Sequence, residues 1–296
     1  MNPTQRAYLE LHIAVLLFGL TAILGDLIAL PAVVLVWWRV LITSCSILLM
    51  INVVAELRKL PRRLVVRFMG IGILVALHWI TFFGAIKFSN ASVCLVCMAT
   101  TSFFTAILEP LIRRQAIKWY EIALGVMIVP GMMMIVNNLT FDMLTGVWVG
   151  LISALLASLF AIFNKMLVEE AAPLTITFLE LSSAWGFISL CLPFYFWMQP
   201  EALFWPDLYD LAYLLLLALL CTTLAYVLAL RSLKYLSAFA SNLTVNLEPV
   251  YGIILAWVIL QEHEELSNGF YWGCLIILLA VLSYPLLKAR FEPSKK

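Results

Sequence analysis

The chain has 296 residues, 64% of them hydrophobic and only 12% charged, with a mean hydropathy of +1.04. Soluble domains carry about 25% charged residues, so this composition excludes a soluble fold. The net charge of +1 conceals an internal polarity and says nothing about partners.

A hydrocarbon core about 30 Å thick takes roughly 20 helical residues to cross, and apolar runs of that length recur along the chain. The first is expected over residues 9–30. It is as long as a span, is preceded by only Arg6 and contains Glu10 and His12, so it reads as a helix rather than a cleavable signal. Asp26 and Pro31 separate it from a second helix, 32–55, which carries Arg39. A basic cluster over 58–67 leads to the third, 68–86, with His78 at its middle and Trp79 beside it. Ser89-Asn90 breaks the chain before the fourth, 91–112. The fifth is expected over 119–136, with Pro130-Gly131 bending it and acting as a possible hinge.

The second half repeats the count, with helices expected over 144–167, 174–197, 211–230, 238–260 and 269–287. Gly146, Gly150, Ala154 and Ser158 recur every four residues, a stripe that lets helices approach closely. The aromatic segment 194–209 reads as an interfacial belt or, as the lesser reading, an external gate. The chain is therefore read as an all-α integral membrane protein of ten transmembrane helices.

Basic residues orient the spans, because Lys and Arg near helix ends stay on the cytoplasmic side. With the N-terminus inside, 16 of the 18 lie in cytoplasmic segments, Lys87 alone is outside and Arg39 is within a span. Both termini are expected in the cytoplasm, in a cell membrane. Asp142, Glu201, Asp207, Asp210, Glu262, Glu264 and Glu265 collect outside. The six cysteines fall within spans, and Cys94-x-x-Cys97 reads as small-residue packing. Asn138-Leu139-Thr140 matches a glycosylation acceptor, a pattern common by chance.

The halves echo each other. Lys87-Phe88-Ser89-Asn90-Ala91 returns as Lys234-Tyr235-Leu236-Ser237-Ala238. At the same offset Thr101-Ser102-Phe103-Phe104 lies over Glu248-Pro249-Val250-Tyr251, and Arg39 falls near Glu180 at a slightly shorter one. Five helices per half is an odd number, so the second half enters the membrane inverted, a construction common in secondary transporters. Two units are expected, residues 1–140 and 141–296.

Ser232-Leu233-Lys234-Tyr235-Leu236-Ser237-Ala238, then Leu247-Glu248-Pro249-Val250-Tyr251-Gly252, then Leu260-Gln261-Glu262 resemble the drug/metabolite transporter superfamily, specifically its ten-helix EamA-type members. The resemblance covers roughly residues 9–288, with Thr101-Ser102 standing where a proline is usual. It implies export of small metabolites, amino acids foremost; no enzyme is expected, a membrane-embedded one being the lesser alternative. Amphipathic cations, drugs or nucleotide sugars are the alternative substrates. The expected partners are the lipid bilayer, a small polar or amphipathic substrate and protons, with no nucleic acid and no cofactor or metal. The chain is expected as a monomer or homodimer.

Ionisable groups at membrane depth are functional hypotheses by default. Glu248, about ten residues into the ninth helix, leads them. It reads first as a hydrogen-bonded shaper of the bundle beside Pro249, and second as a substrate or proton contact. Asn242 and Asn246 form a polar stripe near it. His78 could couple protons, although a buried histidine is more often a packing element. Arg39 reads first as a snorkelling or internally paired cation, and otherwise as an attractor of a carboxylate. Trp79, Thr101 and Tyr226 complete the candidates. Glu109 reads as the local ion-pair partner of Arg113. No H-E-x-x-H, G-x-S-x-G or nucleotide-binding loop is present.

Overall fold

The computed structural model describes residues 2–135, 143–248, 250–251 and 268–292. The Asn138-Leu139-Thr140 motif, Asp142, Pro249, residues 252–267 with His263, and the last four residues lie outside the described residues. Helix α1 spans Pro3–Leu27, about two turns' worth of shift from the expected start. Asn2 accepts from Thr4 N at 3.0 Å, its own N–H donates to Gln5 Oε1 at 3.1 Å, and Pro3 occupies the first turn. This reciprocal cap sets the start before the apolar run begins.

Helix α2 covers Ala32–Met50 and stops short of residue 55. Ile51 is extended, and Asn52 caps a separate short helix, α3 (Val53–Arg58), by accepting from Ala55 N at 3.1 Å. Helix α4, Arg62–Phe88, begins two turns before the expected third helix, because Pro61 stands at its N-cap and Arg62, Arg63 and Arg67 continue the helix. Its 27 residues reach roughly 40 Å, and long arginine stems let cationic turns emerge from the hydrocarbon. Then follow α5 (Ala91–Arg113), α6 (Trp119–Ile135), α7 (Leu144–Leu167) and α8 (Pro173–Met198).

The eighth expected helix is a continuous stretch in three parts: α9 (Leu208–Ala218), a π-helical turn over Leu219–Leu224, and α10 (Ala225–Leu233). Helix α11 is described over Ala238–Val245, capped by Ser237, whose oxygen accepts from Ala240 N at 3.1 Å. Helix α12 spans Asn268–Phe291. Among the described residues eight helices are long and apolar enough to cross a membrane, and Trp119–Met134 is a shorter apolar one.

Helix α4 packs on α7 and α8, α5 on α6 and α7, α6 on α12, and α1 on α10. One buried cluster joins α2, α4 and α8 through Val34, Phe68, Val75, Phe83, Leu181 and Ile188. A second joins α1, α5, α6, α11 and α12 through Leu11, Leu124, Ile128, Phe239 and Ile277. The small-residue stripe of α7 does what its spacing predicts. A Cβ on Gly146 would lie 2.5 Å from Ser89 Cβ, and one on Gly150 2.8 Å from Cys97 Cβ. Cys94 and Cys97 donate their thiols to the carbonyls of Phe82 and Val147. Gly131, beside Pro130 inside α6, sits against the Gly273 carbonyl of α12.

The tightest crossing is between α4 and α8. A Cβ on Gly72 would lie 2.0 Å from the Glu180 carbonyl oxygen and 2.1 Å from Ser183 Oγ, whereas one on Gly70 meets nothing within 4 Å. Ser183 also donates to the Met69 carbonyl at 3.0 Å, fastening the crossing. Gly72→Ala should therefore destabilise the fold by about 1–3 kcal/mol through overpacking. Gly70→Ala should be neutral or gain up to about 1 kcal/mol of helix propensity. Thermal unfolding of the two variants in detergent checks the contrast.

At the end of α12, Lys118 bridges Glu292 at 2.8 Å and Glu121 at 3.6 Å, while Tyr120 donates to Glu292 at 2.7 Å and stacks on Phe291. Burial works to raise the Glu292 carboxyl, but the Lys118 and Tyr120 hydrogen bonds outweigh it and hold it below its ordinary 4.5. A depressed folded value means that this clasp contributes fully above about pH 4.5 and is lost as pH falls through the lower folded value. Hydrogen exchange at residues 288–292 should accelerate below that point, and in Lys118→Met it should already be fast at neutral pH.

Candidate functional site

Between the helices lies a cavity of about 1120 Å³, mouth included, whose wall takes residues from α1, α2, α4, α5, α6, α7, α10 and α11, together with Glu248. All eight candidates from the sequence line it: Arg39, His78, Trp79, Thr101, Tyr226, Asn242, Asn246 and Glu248. Apolar wall is supplied by Phe18, Phe82, Met98, Met132 and Phe160.

Arg39 does not snorkel. It is 2% exposed, its guanidinium lies 3.9 Å from the Trp79 ring centroid, and its Nε donates to Thr222 Oγ1 at 2.7 Å. An arginine 8 residues into a 19-residue helix is too deep to reach headgroups easily. The neighbouring helix instead supplies an acceptor and an aromatic face. The π turn makes that acceptor. Thr222 and Thr223 donate to the carbonyls of Leu217 and Ala218, five residues back, and Thr43 of α2 also donates to Ala218 at 3.1 Å. Thus the carbonyls that widen in the π turn are answered by hydroxyls, and one of those hydroxyls turns its lone pair to the arginine. Nη1 of Arg39 has no hydrogen-bond partner. Among the described residues Glu248 forms no ion pair, and it shares the cavity wall with Arg39 within electrostatic reach.

His78 is held through Nδ1, 3.0 Å from the Ser153 carbonyl and 2.9 Å from Ser153 Oγ, which donates in turn to the His78 carbonyl. A carbonyl can only accept, so Nδ1 carries the proton and the neutral ring keeps its lone pair on Nε2. The ring packs at 5.3 Å against Phe160.

Asn242 and Asn246 spend their amides on α5. Asn246 donates to Ser102 and Asn242 to Thr105, both at 2.7 Å, and Phe239 N donates to Glu109 at 3.0 Å. These three rungs join two antiparallel helices where apolar contacts alone would leave their register free. Glu109 also pairs with Arg113 at 2.9 Å, the local ion pair that its spacing predicts. Thr101 faces the cavity with its hydroxyl unpartnered.

One acidic residue was overlooked as a site candidate. Glu180 is 0% exposed, behind the cavity wall, and its Oε2 accepts from Tyr226 OH and, at 3.3 Å, from Asn164 Nδ2. The signal was available, since a lone glutamate inside an apolar span is as costly as Glu248. It was read only as the repeat counterpart of Arg39.

Outside the cavity lining, an aromatic cluster joins α2 to the segment after α8. Trp37 and Trp38 gather around Phe204 at 5.3 and 5.8 Å, Trp38 donates to the Phe204 carbonyl, and Trp37 donates to Ser189. Asp210 accepts from Ala29 N, and Lys87 donates to the Ile28 carbonyl, pinning the turn between α1 and α2. The aromatic segment 194–209 thus divides. Phe204 is packed inward, while Trp197, Trp205 and Tyr209 are exposed as an interfacial belt would be.

Apolar helices long enough to cross a membrane, packed around an internal cavity, define a multi-pass membrane protein. The profile of the EamA-like transporter family matches residues 5–137 and 144–284. The chain belongs to that family, and with it to the transporters of the drug/metabolite superfamily. A solved crystal structure aligns over 97% of this chain and 98% of that one, with a TM-score of 0.73 at 15% sequence identity, a likeness of fold. No curated protein matches the chain.

The rungs between α5 and α11 generate a measurement. A double-mutant cycle of Thr105→Val and Asn242→Leu should return a coupling energy of about 0.6 kcal/mol and at most about 1.7, read from equilibrium unfolding in mixed micelles. Additive effects would mean that the rung does not hold the two helices.

Proposed function

We propose that the protein is a secondary transporter that exports small metabolites, amino acids foremost, by alternating access between two inverted five-helix repeats. The packing supports this arrangement. Exchanging the halves carries the contact of α4 with α7 onto that of α10 with α1, and the contact of α4 with α8 onto that of α9 with α2. The contacts α2–α8, α5–α11 and α6–α12 map onto themselves. The orientation argued from basic residues puts the aromatic cluster of Trp37, Trp38 and Phe204 on the external side, and an exporter loads from the opposite, cytoplasmic side.

The observation that carries the substrate class is the pairing of Arg39 and Glu248 on one wall, opposite charges that form no ion pair with each other among the described residues. Each leaves a charge to be answered by a ligand, and together they answer the carboxylate and ammonium of a zwitterion. Trp79, Phe82 and Phe160 provide surface for the remainder. Glu248 with the same aromatic surface favours a second reading, amphipathic cations, which Arg39 opposes.

Efflux from proteoliposomes loaded with labelled amino acids should be selective and saturable. Arg39→Gln should lower kcat/KM for carboxylate-bearing substrates about 10- to 100-fold, the loss of a charge-assisted hydrogen bond worth about 1.5–3 kcal/mol. It should spare amines that lack a carboxylate. Efflux of lipophilic cations alone, from folded protein, would replace the amino-acid reading with the cation one.

A further inference from the structure

Glu180 sits where no solute reaches it and yet is one residue from the cavity. Both of its partners, Tyr226 of α10 and Asn164 of α7, line that cavity. Three polar groups are joined in a ring, because Asn164 Nδ2 lies 3.4 Å from Tyr226 OH as well. Two acceptors in the ring have no donor, Glu180 Oε1 and Asn164 Oδ1.

An unanswered acceptor in a dry interior costs about 1–3 kcal/mol, and two of them on directly bonded residues point to one missing hydrogen. Among the described residues no cation forms an ion pair with the carboxyl. From α2 the titratable side chain is Arg39, held by Thr222 and Trp79. From α4 it is His78, held by Ser153, with Gly72 and the Met69 carbonyl at the crossing itself. From α10 it is Tyr226, and from α7 the polar group is Asn164. The site can therefore hold the carboxyl in two states. As an anion it accepts from Tyr226 and Asn164, and as an acid it carries the hydrogen that the ring lacks.

The geometry points to Glu180 as the proton-binding site of the transport cycle, charged and discharged through Tyr226 at the cavity wall. Tyr226 hands its phenolic proton to Oε2 of Glu180, the oxygen it is bonded to, and is reprotonated by hydronium in the cavity, which leaves water; rotation of the neutral carboxyl then turns the acid hydrogen to Asn164 Oδ1. The phenol ends unchanged, and the carboxyl is neutralised by one proton taken from solvent. A solute that hydrogen-bonds Tyr226 or Asn164 competes for the bonds that hold the anion, so solute and proton exclude each other at this wall. Coupling in this sense rests on the transporter reading, but the proton site does not.

Infrared difference spectra of the full chain in lipid nanodiscs, between acid and alkaline pH and with no solute present, test the site. The expected result is a carboxylic-acid stretch that disappears on alkalinisation, is missing in Glu180→Gln, and is displaced in midpoint by on the order of one pH unit in Tyr226→Phe. Spectra unchanged by Glu180→Gln would overturn the assignment. In proteoliposomes, Glu180→Gln should lose accumulation driven by a pH gradient at least about tenfold relative to its own solute exchange at equal pH. Gradient-driven accumulation equal to that of the unaltered protein would overturn the coupling. Absence of any flux in the unaltered protein would count against the transporter reading alone, with the infrared result still deciding the proton site.

Discussion

A guanidinium buried at membrane depth has to be held by the protein, and the way Arg39 is held organises much of this bundle. Backbone in the hydrocarbon must satisfy its own polar groups, so a spare acceptor is scarce. The eighth span produces one by opening into a π turn, where two threonine hydroxyls take up the displaced carbonyls and Thr222 turns to Arg39. Trp79 supplies the face on the other side. The arginine thereby ties α2, α4 and the eighth span together at one depth.

The rest of the polar interior divides by whether it is used up. Ser102, Thr105, Glu109, Asn242 and Asn246 are spent on each other and fix two antiparallel helices in register. His78 is half spent, on Ser153. Arg39, Thr101, Asn164 and Glu180 each keep an atom with no partner. Of these, Arg39, Thr101 and Asn164 line the cavity and Glu180 stands behind its wall, while Ser44, Glu121, Thr175 and Trp185 keep unpartnered atoms outside its lining; each such buried group costs free energy.

Spans and punctuation were legible in the sequence because hydropathy and the 20-residue length act locally. The misplaced boundaries have local causes that hydropathy cannot see. The cap at Asn2 and the proline at 61 start helices in polar sequence, and Asn52 breaks one within apolar sequence. The candidate site was legible by type, since intramembrane polar residues are few and all eight candidates line one cavity. Their roles were not. Whether Arg39 points outward or inward depends on a threonine 183 positions away, and no property of Leu219–Leu224 alone announces a π turn. Glu180 stands out in the sequence only as the repeat counterpart of Arg39, because the partners of its carboxyl, Asn164 and Tyr226, come from two other helices.

The π turn also has a consequence for chain length. Such a turn is an α-helix carrying one surplus residue, and here the surplus sits between α9, which packs on α2, and α10, which brings Tyr226 to the cavity. A chain one residue shorter in Leu219–Leu224 could run as an uninterrupted helix with both ends in their present places, better satisfied in its backbone than the helix described. It would have no displaced carbonyls for the threonines to answer and no hydroxyl turned to Arg39. The extra residue works as an adjustable spacer, and its irregularity is what leaves room for a charge.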